Sequence, residues 1–169
     1  MKEKICNRFI LLGLFVLSLV IPQTIISAVG PSEQEKTYIS SAGGYLKTQN
    51  EQGMKVATAM NGLNRGTSTL DDVREAIKNA RFVTNAGWYG DYLRNGKLVV
   101  PTSFQKIDQK IHESHNLREK AYDEYLKYWK DGKIYHIESG NRIFKKSEAV
   151  AQEATKELTE IMQAINKGQ

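Results

Sequence analysis

The chain has 169 residues, with 24 Lys and Arg against 19 Asp and Glu, a formal charge of +5, 40% hydrophobic residues and 25% charged ones. These fractions are ordinary for a globular domain and exclude a collagen-like chain, a low-complexity tail, a multi-span membrane protein and full disorder. A single cysteine rules out an intrachain disulfide, and the length fits one domain of the usual size, about 100–200 residues.

Lys2, Lys4 and Arg8 make a basic start. Phe9 to Pro22 then reads FILLGLFVLSLVIP without a charge, and Ile26-Ser27-Ala28 supplies small residues for cleavage. This three-part layout predicts a secretory signal over 1–28, cut after Ala28. An uncleaved anchor is the rival reading. Phe9 to Val29 is 21 uncharged residues, enough to span about 30 Å of hydrocarbon as a helix, although Pro22, Gln23 and Thr24 interrupt it. Either way the positive flank stays inside and the remainder is extracytoplasmic, periplasmic or secreted. Membrane contact is expected only through an uncleaved N-terminal segment. Cys6 precedes the apolar run and is badly placed for lipid attachment.

Removing 1–28 takes Lys2, Glu3, Lys4 and Arg8, and leaves 21 basic residues, 18 acidic residues and no cysteine. Residues 29–169 are therefore expected to form a single helical-bundle domain without a thiol nucleophile or a cysteine metal site. Its positive charge is dispersed, with Lys145-Lys146 as the one adjacent basic pair. Nucleic acid, which needs a clustered basic face, is not expected as a partner.

From Ser32 to Leu63 the apolar residues Tyr38, Ile39, Ala42, Tyr45, Leu46, Met54, Val56, Ala57, Met60 and Leu63 recur mostly at three and four, as on a half-buried helix. Gly43, Gly44 and Gly53 weaken it by about 1 kcal/mol each relative to alanine and mark a kink or a close crossing. Gly66 is a natural left-handed stop. Thr69 to Asp72 resembles a capping box with an acidic first turn. The stripe Val73, Ala76, Ile77, Ala80 and Val83 or Thr84 continues this second helix through Trp88, Tyr89 and Tyr92 to Leu93. Asn95-Gly96 reads as a turn, and Lys97 to Val100 as a short strand ended by Pro101. The third helix opens at Thr102 or Ser103 and buries Phe104, Ile107, Ile111, Tyr122, Tyr125, Leu126 and Trp129. Asp131-Gly132 stops it.

Lys133 to Ile137, Glu138 to Asn141 and Arg142 to Phe144 form an apolar run, a Gly-containing turn and a second apolar run. That pattern predicts a small hairpin. The last helix starts near Ser147 with the stripe Val150, Ala151, Ala154, Leu158, Ile161 and Ile165. The expected fold is all-α: a four-helix up-and-down bundle with a small β-hairpin insertion between helices 3 and 4.

No strong catalytic or phosphate-binding motif is present: neither a phosphate loop, nor a nucleophile elbow, nor His-Glu-x-x-His, nor the paired Glu-x-x-His of di-iron bundles. No cofactor is expected. Three constellations remain. Asp108, His112 and His115 share a helix face at spacings of four and three, so their side chains can meet one metal ion; a solvated face with one satisfied core histidine fits the same residues. Gln49 and Gln52 fall at inward positions halfway along the first helix, level with Ser114, His115, Arg118 and Glu119 of the third. Such a polar layer fixes helix register, holds water or lines a ligand cavity, whereas a one-residue shift sends both glutamines to the surface. Trp88, Tyr89, Tyr122, Tyr125, Tyr128 and Trp129 gather near helix ends, as loop packing or as a contact surface.

Two functional expectations follow. One is an exported, non-catalytic bundle that binds a protein partner or itself as a homo-oligomer. The other is a small-ligand or metal-binding bundle, with Gln49, Gln52, His115, Glu119, Trp88 and Tyr89 as ligand-binding residues and Asp108, His112 and His115 as metal ligands. An enzyme with His115 as base beside Glu119 is a third reading, for which no nucleophile stands out.

Overall fold

The three-and-four spacing becomes four α-helices in the computed structural model, which describes residues 31–86 and 98–167. They are α1 (Glu33–Arg65), α2 (Leu70–Ala86), α3 (Gln105–Asp131), preceded by a 3-10 turn at Thr102–Phe104, and α4 (Tyr135–Lys167). The fold is all-α, with no strand among the described residues. No helix among them is long and apolar enough to cross a membrane.

The helix ends are built from local chemistry. At the start of α1 the Ser32 hydroxyl accepts the Glu35 N–H at 3.3 Å, and the Glu35 carboxylate accepts the Ser32 N–H at 2.9 Å. Thr69 and Asp72 repeat this reciprocal box at α2, with distances of 3.1 and 2.7 Å. Two otherwise unbonded N–H groups are satisfied at each end. Gly66 and Gly132 close α1 and α3 in the left-handed region, at φ 73° and 69°, which a side chain disfavours.

Two apolar clusters fill the interior. One joins all four helices through Val56, Met60, Val73, Ile77, Tyr122, Tyr125, Ile137 and Phe144. The other joins α1, α3 and α4 with the segment before α3, through Tyr38, Tyr45, Leu46, Leu98, Phe104, Ile107, Ile111 and Leu158. Along α1, α3 and α4 alike, a run of buried polar residues separates the two: Gln49 and Gln52, then Ser114, His115 and Arg118, then Ser147. Tyr125 to Asn141, Arg118 to Ser147 and Lys110 to Glu153 are bonded pairs whose numbers rise on α4 as they fall on α3, so these two helices run antiparallel.

The hairpin expected over 133–144 is corrected: the chain turns at Ile134 and is helical from Tyr135 onward. Ile137 and Phe144 are seven apart and both fully buried, which is two helical turns on one face. Gly140, read as a turn residue, lies inside α4 against the Tyr125 ring, where a Cβ would stand 2.5 Å from two ring carbons. Its sequence neighbourhood resembles a turn, but its role is to let α3 and α4 approach. Ser147, expected near the start of the last helix, lies in its interior. The strand expected over 97–100 is also corrected, since residues 98–100 are irregular and Leu98 is buried in the second cluster. The second helix is described to Ala86. Its expected continuation through Trp88, Tyr89 and Tyr92, the Asn95-Gly96 turn, Lys97 and the 1–28 leader lie outside the described residues.

Two glycines of the same helical conformation should respond oppositely to alanine. Gly140→Ala must displace the buried Tyr125 ring and should destabilise by about 1–3 kcal/mol. Gly44 has nothing within 4 Å of a Cβ, so Gly44→Ala should stabilise by about 0.5–1 kcal/mol. Urea unfolding of the two variants beside the wild type measures both signs.

Candidate functional site

The polar layer brings together residues from three helices. Residues 38 and 45 of α1 lie beside residues 108 and 115 of α3, because both helices advance by two turns together. The Tyr38 hydroxyl donates to Asp108 Oδ1 at 3.1 Å, and the Tyr45 hydroxyl lies 2.6 Å from His115 Nδ1. One turn further on, the Gln49 amide donates to Tyr45 Oη at 3.5 Å. The His115 tautomer sets which group donates in this contact: a Tyr45 hydroxyl donating to Nδ1 pairs with a neutral imidazole protonated on Nε2.

His115 is 3% exposed. Burial, reinforced by His112 and the Arg118 guanidinium, pushes its pKa down to about 4 from an ordinary 6.5. The ring is therefore neutral at pH 7 rather than a cation.

Arg118 crosses the layer. Its Nε donates to Ser147 Oγ at 3.2 Å and an Nη donates to the Gln49 carbonyl at 3.1 Å. The guanidinium sits 4.3 Å above the centre of the Phe144 ring, a cation–π arrangement that strengthens out of water. Ser147 in turn donates to the Ser114 carbonyl at 2.7 Å. Gly53 makes the space: a Cβ there would stand 2.3 Å from the guanidinium and 3.2 Å from Phe144. The half-buried Glu148 feels the Arg118 charge, although burial dominates and raises its carboxyl above the usual range.

The residues singled out from sequence divide as follows. Gln49 and His115 join one network, and Gln52 is buried one turn along the same face. Glu119 turns toward α2, where its Oε2 accepts from Arg81 Nε at 2.9 Å, while Arg81 also reaches Asp123 at 2.7 Å. Asp108 and His112 pair with each other at 3.4 Å. His115 faces Tyr45 instead, so the structure does not gather the three proposed metal ligands. Among the described residues, no group of three or more His, Cys, Asp or Glu side chains stands ready to hold a metal ion. Trp88 and Tyr89 lie outside the described residues.

Sequence reading passed over the packing partners: Gly53 as the socket for Arg118, Phe144 beneath it, and Ser147 as its acceptor. The available signal was the shared seven-residue step of Tyr38, Tyr45 and Gln52 on α1 with Asp108, His115 and Tyr122 on α3. Those steps put Arg118 beside the stretch of α1 around Gln49, from which its long side chain reaches Gly53.

The His115 environment carries a pH signature. Its folded pKa lies below its unfolded value. The stability due to keeping it neutral is therefore complete above about pH 6.5 and is lost as pH falls toward about 4. That loss should amount to about 1–3 kcal/mol. His115→Asn keeps an acceptor near Tyr45 but does not titrate, so its melting temperature should fall less across this window. Equal falls in variant and wild type would remove the assignment.

Comparison with protein-family models, with curated proteins and with solved structures finds no match to this chain.

Proposed function

We propose that the chain is an exported, non-catalytic bundle that acts by binding a macromolecular partner or a second copy of itself, with its four helices in up-and-down order. The order is supported by the tight turns after Gly66 and Gly132 and by the opposed numbering of the α3–α4 pairs. Export is supported by the basic start, uncharged run and small residues of 1–28. The single domain over 29–169 is supported by the clusters that join the helices. The polar layer favours a structural use, because its donors and acceptors are spent largely on one another.

The observation that carries the binding reading is Phe82. Val73, Ile77, Ala80 and Thr84 bury one face of α2, while Phe82, on another face, is 72% exposed with Val83 beside it. A large aromatic ring held in water is the kind of side chain that anchors contacts. A photoreactive benzophenone side chain at position 82 in the native host should give a discrete adduct. The same group at the exposed Glu75 should not. If position 82 gives no adduct of its own and the purified protein sediments as a monomer, the binding reading fails.

A second reading, a small polar ligand or metal ion in the layer around His115, is favoured by two atoms. Glu119 Oε1 and Tyr122 Oη are buried without a hydrogen-bond partner among the described residues, and such atoms cost about 1–3 kcal/mol each. Zinc, copper or iron should then raise the melting temperature of the wild type, by about 2.7 kcal/mol of added stability at a hundredfold excess over Kd. His115→Asn should not respond. Identical melting curves with and without each ion would dismiss the metal version.

A further inference from the structure

We propose that His136, gripped between Glu124 and Asp131, is a proton-operated latch that holds the α3–α4 turn closed while its ring is doubly protonated and releases it when rising pH removes one of those protons. Its Nδ1 lies 3.0 Å from Glu124 Oε2 and its Nε2 lies 3.1 Å from Asp131 Oδ2. A carboxylate can only accept, so the ring satisfies both contacts only when both nitrogens carry protons. The arrangement is therefore an imidazolium bridging two carboxylates, one two turns back in α3 and one at its last residue.

As pH rises, one N–H proton leaves to solvent. The remaining N–H keeps one carboxylate, and the bare nitrogen faces the other, lone pair against lone pair. One end of the bridge must open. The carboxylates do not hold the ring in place unaided, because each has another partner. Glu124 also takes Lys127, and Asp131 accepts the Lys133 N–H at 3.0 Å with the Lys133 ammonium 3.5 Å away. These lysines keep both carboxylates charged, and the neighbouring Tyr135 ring lies 5.0 Å from the imidazole. The charges acting on His136 itself are Glu124 and Asp131, both from α3.

Position gives the latch leverage. His136 is in the first turn of α4, one residue before the fully buried Ile137, and Glu124 is one residue before the fully buried Tyr125. Opening the bridge loosens the segment that carries Ile137 into the apolar cluster it shares with Tyr125 and Tyr128. The direction is set by the hydrogen bond to Glu124 and then by Asp131, which together raise the imidazole above its ordinary 6.5. The stability it contributes is complete below the unfolded value and is lost as pH climbs through the folded one. This is opposite in sign to His115.

The chain has three histidines, so the ring Cε1–H signals of the full protein can be assigned by removing His112 and His136 in turn. The His136 midpoint should lie above 6.5, and Glu124→Gln or Asp131→Asn should each lower it. Protection of the Gly132 to Glu138 amides against hydrogen exchange should fall on the alkaline side of that midpoint. His136→Gln should lower the melting temperature more at about pH 6 than at about pH 9. A His136 midpoint at or below 6.5, or a melting deficit equal at both pH values, would overturn the proposal. The wild-type titration decides it even if a variant fails to fold.

Discussion

A guanidinium in the middle of an apolar bundle sets the terms for the rest of this fold. Arg118 is 3% exposed, and a buried cation without fixed partners costs several kcal/mol. Its position is tolerable because two neighbouring helices meet its needs together: α1 gives the Gln49 carbonyl and the Gly53 gap, and α4 gives Ser147 and the Phe144 ring. Sliding α1 by one turn would replace Gly53 by Gln49 or Ala57 at the guanidinium and take the carbonyl away. Sliding α4 would remove the acceptor and the ring at once. Apolar contacts are forgiving of such slips, because one leucine-sized side chain packs much like another. The charged contact is not, so it selects one register from several that the apolar stripes alone would allow.

This explains why the core is split rather than continuous. On either side of the layer the packing is apolar and aromatic, with Tyr38, Phe104 and Ile107 at one end and Tyr122, Tyr125 and Ile137 at the other. Hydrophobic burial drives assembly in both halves but carries little information about alignment. The Tyr45–His115 pair and the Arg118 cluster carry that information, and they sit where an error at either end would be felt. Outside the layer, Lys110 bridges α3 to Glu153 and Glu157 of α4, and Arg81 bridges α2 to α3. These half-exposed ion pairs contribute little energy individually. Their geometry nevertheless agrees with the register that the interior dictates.

The helices were legible in the sequence because each carries an apolar stripe long enough to show its period. The caps were legible too, since Thr69, Asp72, Gly66 and Gly132 act through bonds within a few residues of themselves. Gln49, Gln52 and His115 could be placed inward by counting along their own helices. The segment 133–144 was misread because its chemistry is not local. Gly140 interrupts an apolar run as a turn glycine does, and only the Tyr125 ring on another helix shows why a side chain is excluded there. Ser147 was misread for the same reason: a serine before a stripe resembles a cap until Arg118 is seen donating to it. The proposed ligand set Asp108, His112 and His115 relied on one helix face. The structure divides it, because Tyr38 and Tyr45 approach from α1 and take Asp108 and His115 separately.

The two buried or bridged histidines show how one residue type is put to opposite uses by its neighbours. His115 meets a phenol, with the Arg118 guanidinium close by, and burial deprives it of a proton. His136 meets two carboxylates at the edge of the core, and they supply a reason to keep one. The first sits on α3 within the layer that fixes register, where a change of charge would disturb three helices. The second sits at a turn, where the cost of opening falls on two helix ends. The interior histidine is held neutral by its surroundings, and the peripheral one is held toward its charged form, so the two shift in opposite directions.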